Sequence, residues 1–315
     1  MGIADNFTRW LNTNFKGRVW FMEPMSKHTY FKIGGPAEAL VNPESKDDVI
    51  CLVKEAIQND VPWLVIGGGT NLIVKDSGIK GIVIKTMHQK ERISVETFSE
   101  DCVKVTASAG TRLGSLCRYT FEQGLQGMVF AVGIPGTVGG AIMMNAGTGS
   151  GVIQDVLSEI EVLLPEGSIR RFQKDDCLFS YRSFHLKKEK SSDGCEGPVI
   201  LEGVFELRPG DREAIKKEAA SALAERQTRQ PSGSASAGCF FKNPSPENPA
   251  GKLIDLAGFK GYRVGGAVVS EKHANFIVNS GTATSEDVLK LSEIIQKKVF
   301  EMFEIELEPE VRIVG

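Results

Sequence analysis

Val61-Pro62-Trp63-Leu64-Val65-Ile66-Gly67-Gly68-Gly69-Thr70-Asn71 is an apolar run that ends directly in three glycines. The apolar, β-branched part reads as a buried strand. The glycines behind it bring bare backbone N–H groups close together, and such a nest favours an anion, typically a pyrophosphate. Glycine suits the task because a Cβ would block close approach and because positive φ is cheap only there. The pattern departs from the dinucleotide fingerprint G-x-G-x-x-G: Gly67 and Gly69 match, but Leu72 stands where the third glycine belongs. No G-K-[ST] follows, so it is not a P-loop. Taken alone, the stretch reads equally well as a tight turn between two strands.

Working outward, the neighbouring sequence alternates strand and helix signals. Residues 39–41 are a short apolar run, and Ser45 opens a helix with Asp48 three residues on as its capping-box partner. Val49, Leu52, Val53, Ala56 and Ile57 share one face of that helix. Residues 72–74 and 82–85 follow the glycines as further strands, giving a small α/β unit with a glycine loop at a strand end. Residues 92–97 and 102–108 alternate as strands, and Thr111 is placed to cap a helix that closes at Gly124. Residues 158–172 read as a hairpin about Pro165-Glu166-Gly167, and 199–207 as a strand; the polar stretch 187–197 between them reads as a loop. A helix over 211–229 ends at Pro231, and small residues fill 232–238. Then come an apolar 239–241, a short helix over 252–256, and strands over 264–269 and 274–278. Ser285 opens a long helix with Val288, Leu291, Ile295, Val299 and Met302 on one face, and a last strand carries Ile305, Leu307, Val311 and Ile313.

Composition narrows the function classes. The chain has 315 residues, 41% hydrophobic and 24% charged, with a net charge of −3. A chain of this size buries a large core and divides into two or three domains. The charge balance gives no reason to expect a nucleic-acid partner. No apolar run reaches the roughly 18 residues of a membrane helix, and residues 1–6 lack a signal pattern. A cytoplasmic protein is expected. Cysteines at 51, 102, 117, 177, 195 and 239 and histidines at 28, 88, 185 and 273 are scattered without ligand spacing, so neither a disulfide framework nor a metal site is expected.

A second glycine-rich run changes the reading of the first. Gly133, Gly136, Gly139, Gly140 and Gly147, with Gly149 just beyond, are interleaved with Pro135, Thr137 and Asn145. Two bare-backbone segments fit a long dinucleotide better than two unrelated turns.

Seven segments then carry a family resemblance. Thr29-Tyr30-Phe31-Lys32-Ile33-Gly34-Gly35-Pro36-Ala37, the loop at 67–72 and the run at 133–147 come first. Ser180-Tyr181-Arg182-Ser183-Phe184 and Gly238-Cys239-Phe240-Phe241-Lys242-Asn243-Pro244 come next. His273-Ala274-Asn275-Phe276-Ile277-Val278-Asn279 and Leu307-Glu308-Pro309-Glu310-Val311-Arg312 complete the order. Together they resemble UDP-N-acetylenolpyruvoylglucosamine reductases over residues 20–315. Each motif alone is moderate; the ordered set is specific.

The resemblance implies an α+β fold: a two-part FAD-binding region of the vanillyl-alcohol-oxidase type followed by an α/β substrate-binding domain. The expected divisions are 1–86, to which 306–315 returns, then 87–208, and a substrate domain over 209–305. It implies FAD held by Gly67, Gly68, Gly69, Thr70, Asn71, Gly133, Gly136, Thr137 and Gly139, with NADPH as co-substrate. No histidine lies in the first glycine loop, so non-covalent FAD is expected. It implies that NADPH reduces the flavin and leaves, that the enolpyruvyl ether of UDP-N-acetylglucosamine takes its place, and that hydride goes to the vinyl carbon furthest from the carboxylate. The carbon beside the carboxylate is then protonated, in peptidoglycan precursor synthesis.

That chemistry assigns roles. Charge develops at the carboxylate end, where fixed donors belong. Arg182 suits this, since a guanidinium stays charged and grips a carboxylate with two bonds. Glu310 polarises the carboxylate or orients its partners. The family usually has serine as the proton donor in G-S-x-F-K-N-P, and this chain has Cys239 there. A thiol, with a reference pKa of about 8.5, is the stronger acid, though open to oxidation or alkylation. Arg229, Lys242 and Asn243 are expected at the substrate. Blander readings stand beside these: a surface ion pair for Arg182, a solvated charge for Glu310, a small buried hydrophobe for Cys239, ordinary surface charge for Arg226, Arg229 and Lys242. Two other functions also remain open, an FAD-dependent sugar or lactone oxidase on the same scaffold and a catalytically silent nucleotide-binding protein.

Overall fold

Ser45 caps the helix Lys46–Gln58 as its capping box predicts: its Oγ accepts from the Asp48 N–H at 3.1 Å, and Asp48 accepts from the Ser45 N–H at 2.9 Å. Val49, Leu52, Val53 and Ala56 are buried on one face. They pack with Val61, Trp63, Ile82 and Ile84 from the strands that flank the first glycine loop. The computed structural model describes residues 3, 5–88, 92–187, 197–231 and 233–315. The predicted loop at 187–197 falls mostly outside them, as does Ser232. The chain divides into two units, one of residues 1–21, 39–68 and 80–225, the other of 22–38, 69–79 and 226–315.

The first unit contains two sheets. One has the spatial order Arg18–Pro24, Pro36–Asn42, Ile79–Lys85, Trp63–Ile66. Its last two strands are parallel, with Ile66 opposite Lys85. The helix Asp5–Asn14, unread in the sequence, adds Phe7 and Leu11 to the same core. The other sheet runs Ile169–Gln173, Leu157–Leu163, Val199–Pro209, Cys102–Ser108, Ile93–Ser99, all antiparallel. Leu163, Val199 and Leu201 of this sheet join the first core, so the two sheets share apolar packing. Lys46 adds a polar tie, with Nζ 2.7 Å from Glu161 and 3.2 Å from Glu202. Partial exposure keeps such a tie to about 1 kcal/mol or less. A separate core under the helices Leu113–Glu122 and Val138–Met143 centres on Leu113, Leu116, Ile142, Ile160 and Phe205.

The second unit is built from three separate stretches of chain. Its sheet has the order Ala235–Ser236, Ile277–Asn279, Ala267–Val269, Arg263–Val264. The C-terminal strand Arg312–Val314 pairs in parallel with Leu72–Val74. Phe31, Ile33 and Ile73 enter one core with Phe240, Phe241, Leu253, Val288, Leu291, Ile295 and Val299. Asp76 holds the start of the helix Ser285–Phe303: its carboxylate accepts from the Ser285 N–H at 3.0 Å and from the Ser285 hydroxyl at 2.8 Å.

Several element readings change. Thr111 is not a cap. Arg112 occupies that position without a side-chain bond, while the buried Thr111 hydroxyl pairs with Ser108 at 2.8 Å. Ser285 opens the last long helix as expected, and the residue before it, Thr284, caps it in a box with Asp287. Met302 is 45% exposed, because the buried stripe continues in steps of four from Val299 to Phe303. Residues 264–269 form a hairpin turned at Gly265-Gly266, with Gly265 at φ +52°, instead of one strand. The strand expected over 274–278 is confined to Ile277–Asn279, after a turn in which the Phe276 N–H meets the His273 carbonyl. The strand expected through 305–313 shortens to Arg312–Val314, though Leu307 and Val311 are buried.

Candidate functional site

In the first unit the two glycine runs touch. A Cβ added to Gly67 would lie 2.2 Å from Thr137 Oγ1, so a side chain at 67 is excluded. Thr137 is buried and caps the helix Val138–Met143, which the sequence hid among glycines. The Gly139 N–H bonds the Ala109 carbonyl at 2.9 Å, and a Cβ there would press on Ala109 Cβ at 2.9 Å. Gly133 and Gly136 sit at φ +74° and +120°. Gly133 is exposed, so its bare backbone faces outward rather than filling a packing gap. That cradle, with no room for side chains and positive φ where the chain turns, fits a pyrophosphate-bearing cofactor such as FAD.

Arg182 occupies the turn between the strands Cys177–Ser180 and Ser183–Leu186, with Ser180 opposite Ser183. Its φ is +59°, a conformation that costs a non-glycine residue and persists only where the surroundings hold it. They do. Asn145, 4% exposed, donates through Nδ2 to the Ser180 carbonyl at 3.3 Å and accepts at Oδ1 from the Gln154 N–H at 3.1 Å. Arg182 Nη1 donates to the Gly147 carbonyl at 3.3 Å, and the guanidinium lies 5.2 Å from the Tyr181 ring centre. The second glycine run and Arg182 are therefore one assembly.

In the second unit Gly69 is at φ +64°, its carbonyl accepting from the Tyr30 N–H at 2.9 Å. Asn71 is tied to the C-terminal segment, its Nδ2 donating to the Glu310 carbonyl at 3.1 Å and its carbonyl accepting from the Arg312 N–H at 3.0 Å. The Cys239 and Glu310 segments run side by side. The Glu310 N–H bonds the Phe240 carbonyl at 2.8 Å, the Lys242 N–H bonds the Glu308 carbonyl at 2.8 Å, and Phe241 bridges Pro309. The thiol and the carboxylate are thus borne by neighbouring, hydrogen-bonded stretches. Asn243 Oδ1 accepts from the Ala250 N–H at 3.0 Å, at the start of the helix Ala250–Leu256. Lys242 Nζ pairs with Glu308 at 2.9 Å, and Arg229 is exposed at the end of the helix Arg212–Arg229. Burial pushes His273 below the ordinary histidine range, and its Nδ1 accepts from the Asn275 N–H at 3.2 Å. Among the described residues no group of three or more His, Cys, Asp or Glu could hold a metal, and no helix is long and apolar enough to cross a membrane.

Comparison with known proteins follows the same division. An FAD-binding-domain profile matches residues 37–173, and the C-terminal-domain profile of UDP-N-acetylenolpyruvoylglucosamine reductase matches 230–314. A reductase of that name from Desulfosudis oleivorans is 46% identical over 99% of this chain and 100% of its own length. One from Bacillus subtilis is 40% identical over 95% of each.

The chain belongs to the UDP-N-acetylenolpyruvoylglucosamine reductase family.

A crystal structure of a family member from Thermus caldophilus superposes with a TM-score of 0.76 at 32% identity, over 95% of this chain and 99% of that one. The fold is the α+β arrangement of this reductase family, an FAD-binding domain followed by the family's C-terminal domain. The sequence shows Asn145 in the second glycine run but gives neither it nor Asn275 a role. Both lay inside the resembling motifs, but an asparagine in a loop carries no signal of its own until the backbone it clasps is known.

Proposed function

We propose that this chain reduces the enolpyruvyl ether of UDP-N-acetylglucosamine to UDP-N-acetylmuramate, in peptidoglycan precursor synthesis. Bound FAD would supply the hydride chemistry that links NADPH to the vinyl carbon furthest from the carboxylate. The observation that carries the reading is the pairing of the Cys239 and Glu310 segments in a chain of this family: a proton donor and a carboxylate group on adjacent backbone. FAD is held without a covalent bond, by Gly67, Gly68, Gly69, Thr70 and Asn71 and by Gly133, Gly136, Thr137 and Gly139. Arg182 binds the substrate carboxylate and holds the charge that develops there. Glu310 orients that end. The Cys239 S–H bond breaks as a new C–H bond forms beside the carboxylate, and the thiolate recovers its proton from solvent. Arg229, Lys242 and Asn243 bind the nucleotide-sugar; Lys242 leaves Glu308 to do so, an exchange that costs little for a surface pair. The functional division is 1–86 with 306–315 and 87–208 for the cofactor, and 209–305 for the substrate. The reaction is placed in the cytoplasm, with no nucleic-acid partner.

The test is spectroscopic. The purified protein should be yellow. Without oxygen it should bleach with NADPH, and colour should return only when the enolpyruvyl substrate is added. A colourless protein that binds no added FAD, or colour restored by oxygen at a catalytic rate with no response to substrate, would sink the reading.

A further inference from the structure

The segment that bears Cys239 is held on both sides. On one side lies the Glu308–Glu310 backbone already described. On the other lies Asn275, 2% exposed. Its carbonyl accepts from the Phe240 N–H at 2.7 Å. Its side chain then takes both polar groups of the next residue: Oδ1 accepts from the Phe241 N–H at 2.9 Å, and Nδ2 donates to the Phe241 carbonyl at 2.8 Å. One side chain thereby mimics a strand edge for a stretch that has none. A primary amide offers an acceptor and a donor side by side in this geometry. Residue Phe240 is the shared rung, donating its N–H to Asn275 and accepting at its carbonyl from Glu310.

We infer that Asn275 is a positioning residue for proton delivery, fixing the register of the Cys239 segment against the Glu310 segment. This rests on the function proposed above. If Asn275 merely stabilised the unit, its loss would weaken every property together. If it sets register, its loss falls on the one step that needs Cys239 in place, since small displacements of a catalytic group cost up to about 100-fold. NADPH oxidation does not use Cys239 and should be spared.

The informative variant is Asn275→Asp. As a carboxylate it keeps the acceptor for the Phe241 N–H but turns an oxygen on the Phe241 carbonyl. Once protonated, it carries an O–H donor beside a C=O acceptor, and the amide pattern returns. Its titration is read against the wild type at each pH, because His273, Lys242, Glu308, Glu310 and Cys239, the titratable groups on the packed segments, are common to both. The anaerobic half-reactions are followed by stopped flow, with alkylation of Cys239 and of exposed Cys51 by iodoacetamide mapped in parallel.

At neutral pH, Asn275→Asp should bind FAD and be reduced by NADPH within about twofold of wild type, while reoxidation by substrate falls at least about 10-fold. Lowering the pH should restore reoxidation in the variant relative to wild type. Cys239 alkylation should change severalfold, with Cys51 unaffected. Asn275→Ser, whose single hydroxyl cannot serve both groups, should show the same split without recovery, and it supplies the test if the aspartate variant does not fold. Reoxidation at the wild-type rate, or loss in step with flavin content and NADPH reduction, overturns the inference. If the wild type itself is not reoxidised by substrate, the proposed function fails instead. The register claim is then decided by Cys239 alkylation, and an unchanged rate refutes it.

Discussion

At position 239, the proposed proton donor, the chain carries sulfur where the resembling motif has serine, and a thiol is the stronger acid on the same backbone. Cys239→Ser should therefore keep turnover within about tenfold, because the hydroxyl sits on the same Cβ. Cys239→Ala should lose at least about 100-fold, the range of a positioned general acid. NADPH bleaching should survive in both, and equal activity in the alanine variant removes Cys239 from the donor role. His273 gives a second prediction. Burial, and to a lesser degree Lys260, disfavours its charged form in the folded chain. The unfolded chain therefore takes up the proton first as pH falls. Stability from neutral His273 is complete above about pH 6.5, the ordinary histidine value, and is lost progressively below it. Denaturant unfolding across that window should show a shallower pH dependence for His273→Gln than for wild type. Matching slopes would mean that the ring is not desolvated. Arg182, Cys239 and Glu310 are picked out in the sequence through the family motifs that contain them, and their proposed roles follow from that resemblance. Asn275 is given none, because its part lies in which carbonyl and N–H it faces.

Among the elements, the readings that held depend on local patterns. The Lys46–Gln58 capping box, the hairpin about residues 165–167 and the 288–299 face of the last helix are written within a few residues of themselves. The Val138–Met143 helix was illegible because its glycines disfavour helix, and packing against Ala109 overrides that propensity. The Arg182 hairpin was illegible because no glycine marks its left-handed turn; Asn145, 35 residues away, holds it instead. Long-range caps are equally hidden. Asp76 meets Ser285 across 209 residues. Asp76→Ala leaves the Thr284 cap in place but removes the carboxylate that accepts from the Ser285 N–H, and it leaves the buried Ser285 hydroxyl without its acceptor. It should cost about 2 kcal/mol or more, against about 1 kcal/mol for the local cap loss in Ser45→Ala. Equilibrium unfolding of the two variants decides this, and equal losses would mean that the Asp76 contact is no more than an ordinary surface cap.

On the scale of the whole chain, the sequence resemblance sets 209–305 apart as a domain with 306–315 returning to the first, and a family profile bounds a C-terminal domain at 230–314. The packing contradicts its independence. The core of that unit takes Phe31, Ile33 and Ile73 from two earlier stretches. Its C-terminal strand finds its partner at Leu72–Val74, and its longest helix is held at the start by Asp76. The polypeptide moves between units at 21/22, 38/39, 68/69, 79/80 and 225/226, so no single cut separates them. Composition and periodicity cannot report this, because a stretch of strand looks the same whichever sheet receives it. A fragment of 226–315 would expose the apolar faces of Phe240, Phe241, Val288 and Leu291 that the missing stretches cover. At about 25 cal/mol per Å² of apolar surface returned to water, a handful of such contacts exceeds the margin by which a small domain is folded. The fragment should retain helical far-UV signal from Ser285–Phe303, bind a hydrophobic dye, and show no cooperative thermal transition. Adding 22–38 and 69–79 back through short linkers should restore cooperativity. A sharp transition in the isolated fragment would mean that the earlier stretches decorate the unit instead of completing it.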